Sequence, residues 1–109
     1  MRGDFAAEYL RSPLLPSKKE KQAGTAMTDK PHLLIIDDDP SFRDTLKNIL
    51  EWHGYMVSLA GTGAAALQFV GAGQPDLAFI DMMLPDTWGT ELVRELKKIH
   101  PPLLCIMVT

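Results

Sequence analysis

Three aspartates carry the chemistry that this sequence most plainly offers. Asp37 and Asp38 stand side by side after the apolar run Leu33-Leu34-Ile35-Ile36, and Asp81 follows a second such run, Leu77-Ala78-Phe79-Ile80. Carboxylates brought close together repel one another, so either their pKa values rise or a cation joins them. Oxygen ligands at the mouth of an open site suit Mg²⁺ or Mn²⁺. A metal held by two or three protein oxygens keeps coordination positions for water or a phosphoryl oxygen. It also shields an aspartate that attacks phosphorus, and carboxylates are known nucleophiles that form aspartyl phosphates.

The elements that would position these residues alternate along the chain. Leu33–Ile36 reads as a strand buried on both faces. Asp39 is a candidate N-cap and Pro40 a first helical residue, with Phe42, Leu46, Ile49, Leu50 and His53 at helical spacing and Gly54 at the C-terminal cap. Tyr55–Ala60 reads as a second strand. Thr62 caps a second helix bearing Ala66, Leu67 and Val70, which ends at Gly71 and Gly73 before Gln74-Pro75. Leu77–Ile80 is a third strand, Pro85–Gly89 a loop, and Leu92, Val93, Leu96 and Ile99 mark a third helix. Pro101-Pro102 stops that helix, and Leu103–Val108 is a fourth strand. The order β-α-β-α-β-α-β predicts an α/β fold, a parallel sheet with helices on both faces and right-handed crossovers. Such sheets bind ligands at the carboxyl ends of their strands, where strand order reverses. With the order 2-1-3-4 that point lies between the first and third strands, which would bring Asp37, Asp38 and Asp81 together.

The segments Leu34-Ile35-Ile36-Asp37-Asp38-Asp39-Pro40 and Asp76-Leu77-Ala78-Phe79-Ile80-Asp81-Met82-Met83-Leu84-Pro85, with Gly89 eight residues after Asp81, resemble response-regulator receiver domains. Ile106-Met107-Val108-Thr109 resembles the end of that family's fourth strand, so the resemblance runs over residues 31–109. It implies a flavodoxin-like doubly wound sheet and a phosphoacceptor in two-component signalling. Asp81 would accept a phosphoryl group from a histidine kinase or phosphotransfer protein. Asp37 and Asp38 would be the acidic metal pair for Mg²⁺ or Mn²⁺, and Met83 would lend its backbone carbonyl. Thr109 would be the switch hydroxyl that bonds the phosphoryl group, while Pro85 and Gly89 shape the loop. No catalysis is implied beyond the domain's own phosphorylation and dephosphorylation. The family continues with a fourth helix, a fifth strand ending in a phosphoryl-binding lysine, and a fifth helix. These have no counterpart in the 109 residues. The expectation is therefore an incomplete receiver fold of impaired activity, with strand 103–108 prone to self-association.

Bulk properties agree with one cytoplasmic domain. Hydrophobic residues make up 46% and the net charge is −3, which gives no reason to expect nucleic-acid binding. Residues 1–30 hold six Lys/Arg and four Asp/Glu, and residues 31–109 hold five and ten, so the acidic excess sits beside the candidate site. Residues 1–30 show no sustained periodicity and are expected to be a disordered leader, with Met27 an alternative start. No stretch approaches the ~20 apolar residues of a membrane span. The single cysteine, Cys105, reads as a core hydrophobe. His32, His53 and His100 read as surface or cap residues, Trp52 and Trp88 as partly exposed packing residues, and Lys97-Lys98 as a solvated helix end. Two rival readings remain. Gly61-Thr62-Gly63-Ala64-Ala65-Ala66 matches the G-x-G-x-x-G/A dinucleotide fingerprint, with Asp81 about 20 residues on. An inactive receiver-like interaction module is the other.

Overall fold

The computed structural model describes residues 30–108. The expected disordered leader, apart from Lys30, and the proposed switch hydroxyl Thr109 lie outside the described residues. Seven elements alternate: β1 (His32–Ile36), α1 (Pro40–Trp52), β2 (Met56–Ala60), α2 (Gly63–Gly73), β3 (Leu77–Asp81), α3 (Gly89–Ile99) and β4 (Leu104–Val108). The strands form one sheet in the order β2-β1-β3-β4, and every neighbouring pair is parallel. The alternating pattern predicts the parallel sheet, and its strand order is the flavodoxin-like one that the family resemblance implies.

The helix ends follow local chemistry. Asp39 Oδ1 accepts the N–H groups of Ser41 at 3.0 Å and Phe42 at 3.4 Å, satisfying donors that have no partner within α1. At the other end Gly54 takes φ 90°, a region costly for any residue with a Cβ. Its N–H bonds Glu51 O at 2.9 Å, and the Tyr55 N–H bonds Leu50 O at 3.1 Å, the paired bonds of a Schellman turn. Helix α2 runs through Gly71 to Gly73, and the left-handed cap residue is Gln74, φ 47°. Neither glycine is the cap; Pro75 follows directly, and it can neither donate to nor continue a helix.

Side chains alternate across the sheet. Leu34, Ile36, Ala78 and Ile80 pack with Ala66 and Val70 of α2 and Leu92 and Leu96 of α3. Leu33, Ile35, Leu77 and Phe79 pack on the other face with Leu46 and Leu50 of α1. Both faces of β1 and β3 are therefore dry, which is why these strands read as unbroken apolar runs. Strand β4 is half-buried from Leu104 to Met107, and burial raises the Cys105 thiol pKa, in keeping with a core hydrophobe. No helix among the described residues is long and apolar enough to cross a membrane.

Several surface expectations change. Trp52 is 87% exposed, so it packs against little, whereas Trp88 at 58% fits its description. Lys97 is not merely solvated, because its ammonium donates to Leu103 O at 2.9 Å and holds the turn before β4. His53 and His100 are the C-caps of α1 and α3. His32 is half-buried, with Nε2 2.8 Å from Ser58 Oγ and its ring edge-on to Phe69 at 5.3 Å.

Leu50 is fully buried, and its neighbour Ile49 is 39% exposed. Leu50→Ala is expected to cost about 2–5 kcal/mol through lost burial and a residual cavity. Ile49→Ala should cost about 1 kcal/mol or less. Urea midpoints at unchanged m-value check the difference; equal shifts would contradict this packing of α1.

Candidate acidic site at the strand ends

The register of β1 against β3 pairs Ile36 with Ile80. Asp37, the residue after β1, and Asp81, the last residue of β3, therefore reach the same edge of the sheet, in the crevice where strand order reverses. Asp37, Asp38 and Asp81 each present a carboxylate oxygen within 4.8 Å of the others. Asp37 is 1% exposed, Asp81 is 9% exposed and Asp38 is open to solvent. The sequence expectation that these three meet is therefore met in space.

Their surroundings compensate part of the charge. The Asp39 N–H donates to Asp37 Oδ1 at 2.9 Å, and the Met83 N–H reaches Asp81 Oδ1 at a long 3.4 Å. The Arg43 guanidinium donates to Asp37 O at 2.6 Å, which brings a permanent positive charge to the acidic edge. Two carboxylates about 5 Å apart still repel by roughly 3 kcal/mol per pair at an effective dielectric near 20. A third party that relieves this must be positive. The donor set is carboxylate oxygen alone, the chemistry of a hard divalent cation.

The loop between β3 and α3 frames the site. Gly89 approaches the Asp81 backbone so closely that a Cβ would lie 2.6 Å from the Asp81 carbonyl and 2.5 Å from Met107 Cε. Its N–H donates to Met82 O at 2.6 Å, and the Leu84 N–H donates to Thr87 O at 3.0 Å. Met83 and Trp88 face each other as an antiparallel bridge. Gly89 thus shapes the loop as expected. Met83 lies two residues beyond Asp81 with its side chain 62% exposed.

Sequence reasoning missed Arg43 and Asp86. Arg43 had a local signal, since it lies one helical turn beyond Asp39 and can reach back past the helix start. Asp86 had none, because its partners lie 22 and 23 residues away. Its carboxylate accepts from Gly63 N at 2.8 Å and Ala64 N at 2.9 Å. Those bonds, that of Gly63 foremost, hold its pKa below the usual carboxylate value. The dinucleotide fingerprint meets an obstacle here. The α2 N–H groups that would face a pyrophosphate are occupied by Asp86, and a Cβ on Gly63 would meet Thr87 Cγ2 at 2.5 Å. Gly63 makes room for a protein loop and not for a cofactor. NADH is accordingly expected to leave Trp52 and Trp88 fluorescence unquenched; saturable quenching at micromolar NADH would reverse that reading.

The Response regulator receiver domain family matches residues 33–109. Response regulator MprA of Mycobacterium ulcerans is 34% identical over 77 residues, covering 71% of this chain and 33% of that protein. MprA of Mycobacterium leprae is 35% identical over 77 residues, again covering 71% and 34%. The chain thus spans about a third of the length of the curated relatives that it matches. Among solved structures, a CheY-like receiver domain protein from Methanospirillum hungatei JF-1 superposes with TM-score 0.70 at 38% identity, covering 72% of this chain and 62% of that one. A response regulator from Burkholderia pseudomallei, crystallised with a phosphorylated aspartic acid, calcium ion and citrate, superposes with TM-score 0.65 at 30% identity, covering 72% and 47%. With its fold, its acidic edge and these matches in agreement, this chain belongs to the response-regulator receiver family.

Proposed function

We propose that the chain is the phosphoacceptor module of a two-component phosphorelay, with Asp81 as the acceptor. The observation that carries this reading is the meeting of three carboxylates at the mouth of the sheet, with Asp81 ending a fully buried strand. A carboxylate oxygen of Asp81 attacks the phosphorus of a phosphohistidine on a histidine kinase or phosphotransfer protein. The P–N bond breaks, the imidazole leaves and takes up a proton, and an acyl phosphate forms on Asp81. The solved relative with a phosphorylated aspartic acid supports the acceptor chemistry.

Asp37, Asp38 and Asp81 would hold the cation, with the Met83 carbonyl as a further oxygen ligand. Mg²⁺ is the proposed ion. Bound there, it supplies the positive charge that the reaction needs around the transferred group. The calcium ion of the Burkholderia relative supports a hard divalent cation in this family. The chain's own residues do the rest: β3 fixes the acceptor, and Asp37 and Asp38 hold negative charge that attracts the cation. The Thr109 hydroxyl is proposed to bond the phosphoryl oxygens. Residues 31–109 are proposed as the receiver unit, working in the cytoplasm, where kinase donors and reduced Cys105 coexist.

In a version of the chain extended by a fourth helix, a fifth strand with its lysine and a fifth helix, incubation with Mg²⁺ and acetyl phosphate is expected to add one hydroxylamine-labile phosphoryl group, read by intact mass, and Asp81→Asn should abolish it. Undiminished labelling of the Asn variant would overturn the acceptor assignment. Absence of labelling in both proteins would favour an interaction module that does no chemistry.

Asp38→Ala is expected to weaken Mg²⁺ binding at least several-fold, measured by calorimetry or NMR titration. Equal affinity in the variant would mean that the acidic pair is only a turn.

A further inference from the structure

The loop that follows Asp81 is tied to a helix that contributes nothing to the carboxylate cluster. Helix α2 is already capped by its own neighbour: Thr62 Oγ1 accepts from Ala65 N at 3.1 Å, and Thr62 O accepts from Ala66 N at 3.1 Å. The remaining first-turn donors, Gly63 N and Ala64 N, are met from far along the chain by the two oxygens of Asp86. A carboxylate is favourable there because the helix N-terminus is its positive end. Two parallel bonds from one rigid group also fix orientation, as a single bond would not.

The loop behaves as a closed unit. The Leu84–Thr87 and Gly89–Met82 backbone bonds and the Met83–Trp88 bridge link its two arms. Holding Asp86 therefore holds Met82, which is bonded directly to Asp81, and Met83, whose N–H reaches Asp81 Oδ1. Gly63 is the complementary half of the device, since only a residue without Cβ admits Thr87 so close to α2.

We propose that Asp86 is a positioning residue for the acidic site. By clamping the β3–α3 loop to the start of α2, it holds the Met82–Met83 backbone beside Asp81. It thereby sets the affinity for the divalent cation and the rate at which Asp81 accepts a phosphoryl group. Asp86 itself touches neither cation nor phosphoryl group. This inference rests on the reading of Asp37, Asp38 and Asp81 as that site.

The test uses the full chain with Trp52→Phe, which leaves Trp88, two residues from Asp86, as the one tryptophan. Asp86→Ala is expected to shift Trp88 emission and weaken Mg²⁺ binding roughly tenfold, as loss of an outer-shell partner does. Asp86→Asn keeps one oxygen and should fall between, a graded rescue that a general loss of stability would not produce. Gly63→Ala leaves Asp86 in place but displaces Thr87, and it should weaken Mg²⁺ binding in the same direction. It also decides the matter should Asp86→Ala fail to fold. Mg²⁺ affinity within twofold of the parent in both variants, with unchanged Trp88 emission, would overturn the proposal. If the parent bound no Mg²⁺, the proposed function would fall. Trp88 emission and the Gly63 and Ala64 amide resonances, which need no metal, would then decide the clamp by themselves.

Discussion

The parallel pairing of β1 with β3 in one register sets Ile36 beside Ile80, and everything at the acidic edge depends on it. The residues that follow, Asp37 just past β1 and Asp81 at the end of β3, reach that edge together only because of that pairing. A slip of one residue would turn the apolar side chains of β1 to the opposite faces, and both faces are dry. The packing that stabilises the sheet is thus the same packing that aligns the carboxylates. Leu34 and Ile36 on one face and Leu33 and Ile35 on the other hold the register from both sides.

Alignment alone would be costly, since it collects negative charge where the chain is least hydrated. Asp37 and Asp81 are nearly withdrawn from water, and buried polar groups need hydrogen-bond partners. The fold supplies some: an N–H from Asp39, a distant N–H from Met83, and the guanidinium of Arg43 at the Asp37 carbonyl. Asp38 stays in solvent, so the cluster opens outward and a cation can approach without crossing the core.

The second support of the site is the loop beyond β3. Gly89 and Asp86 act on it from two directions. Gly89 lets α3 begin against the Asp81 backbone, and Asp86 reaches across to the start of α2. The segment next to the acceptor is therefore held by two helices of the same face, which also share the core with Ala66, Val70, Leu92 and Leu96. Met83 and Trp88, both more than half exposed, lie on its outer side.

Much of this was legible in the amino-acid sequence because its causes are local. Apolar runs of strand length, Asp39 before Pro40, Thr62 before a helix and Gly54 after one each act within a few residues, so type and order determine them. The four-stranded parallel sheet follows from their alternation, and the three aspartates from their places after two such runs. The tertiary structure decided what depends on distance along the chain. It moved the left-handed cap of α2 to Gln74, drew Lys97 onto Leu103 O, and set half-buried His32 against Phe69 and Ser58. It also gave Gly61-Thr62-Gly63 a meaning opposite to its motif. The N–H groups that the fingerprint reserves for a pyrophosphate are filled by Asp86, more than 20 residues away. Spacing along the chain records which groups are available, but only packing brings a donor to one acceptor and thereby closes it to another.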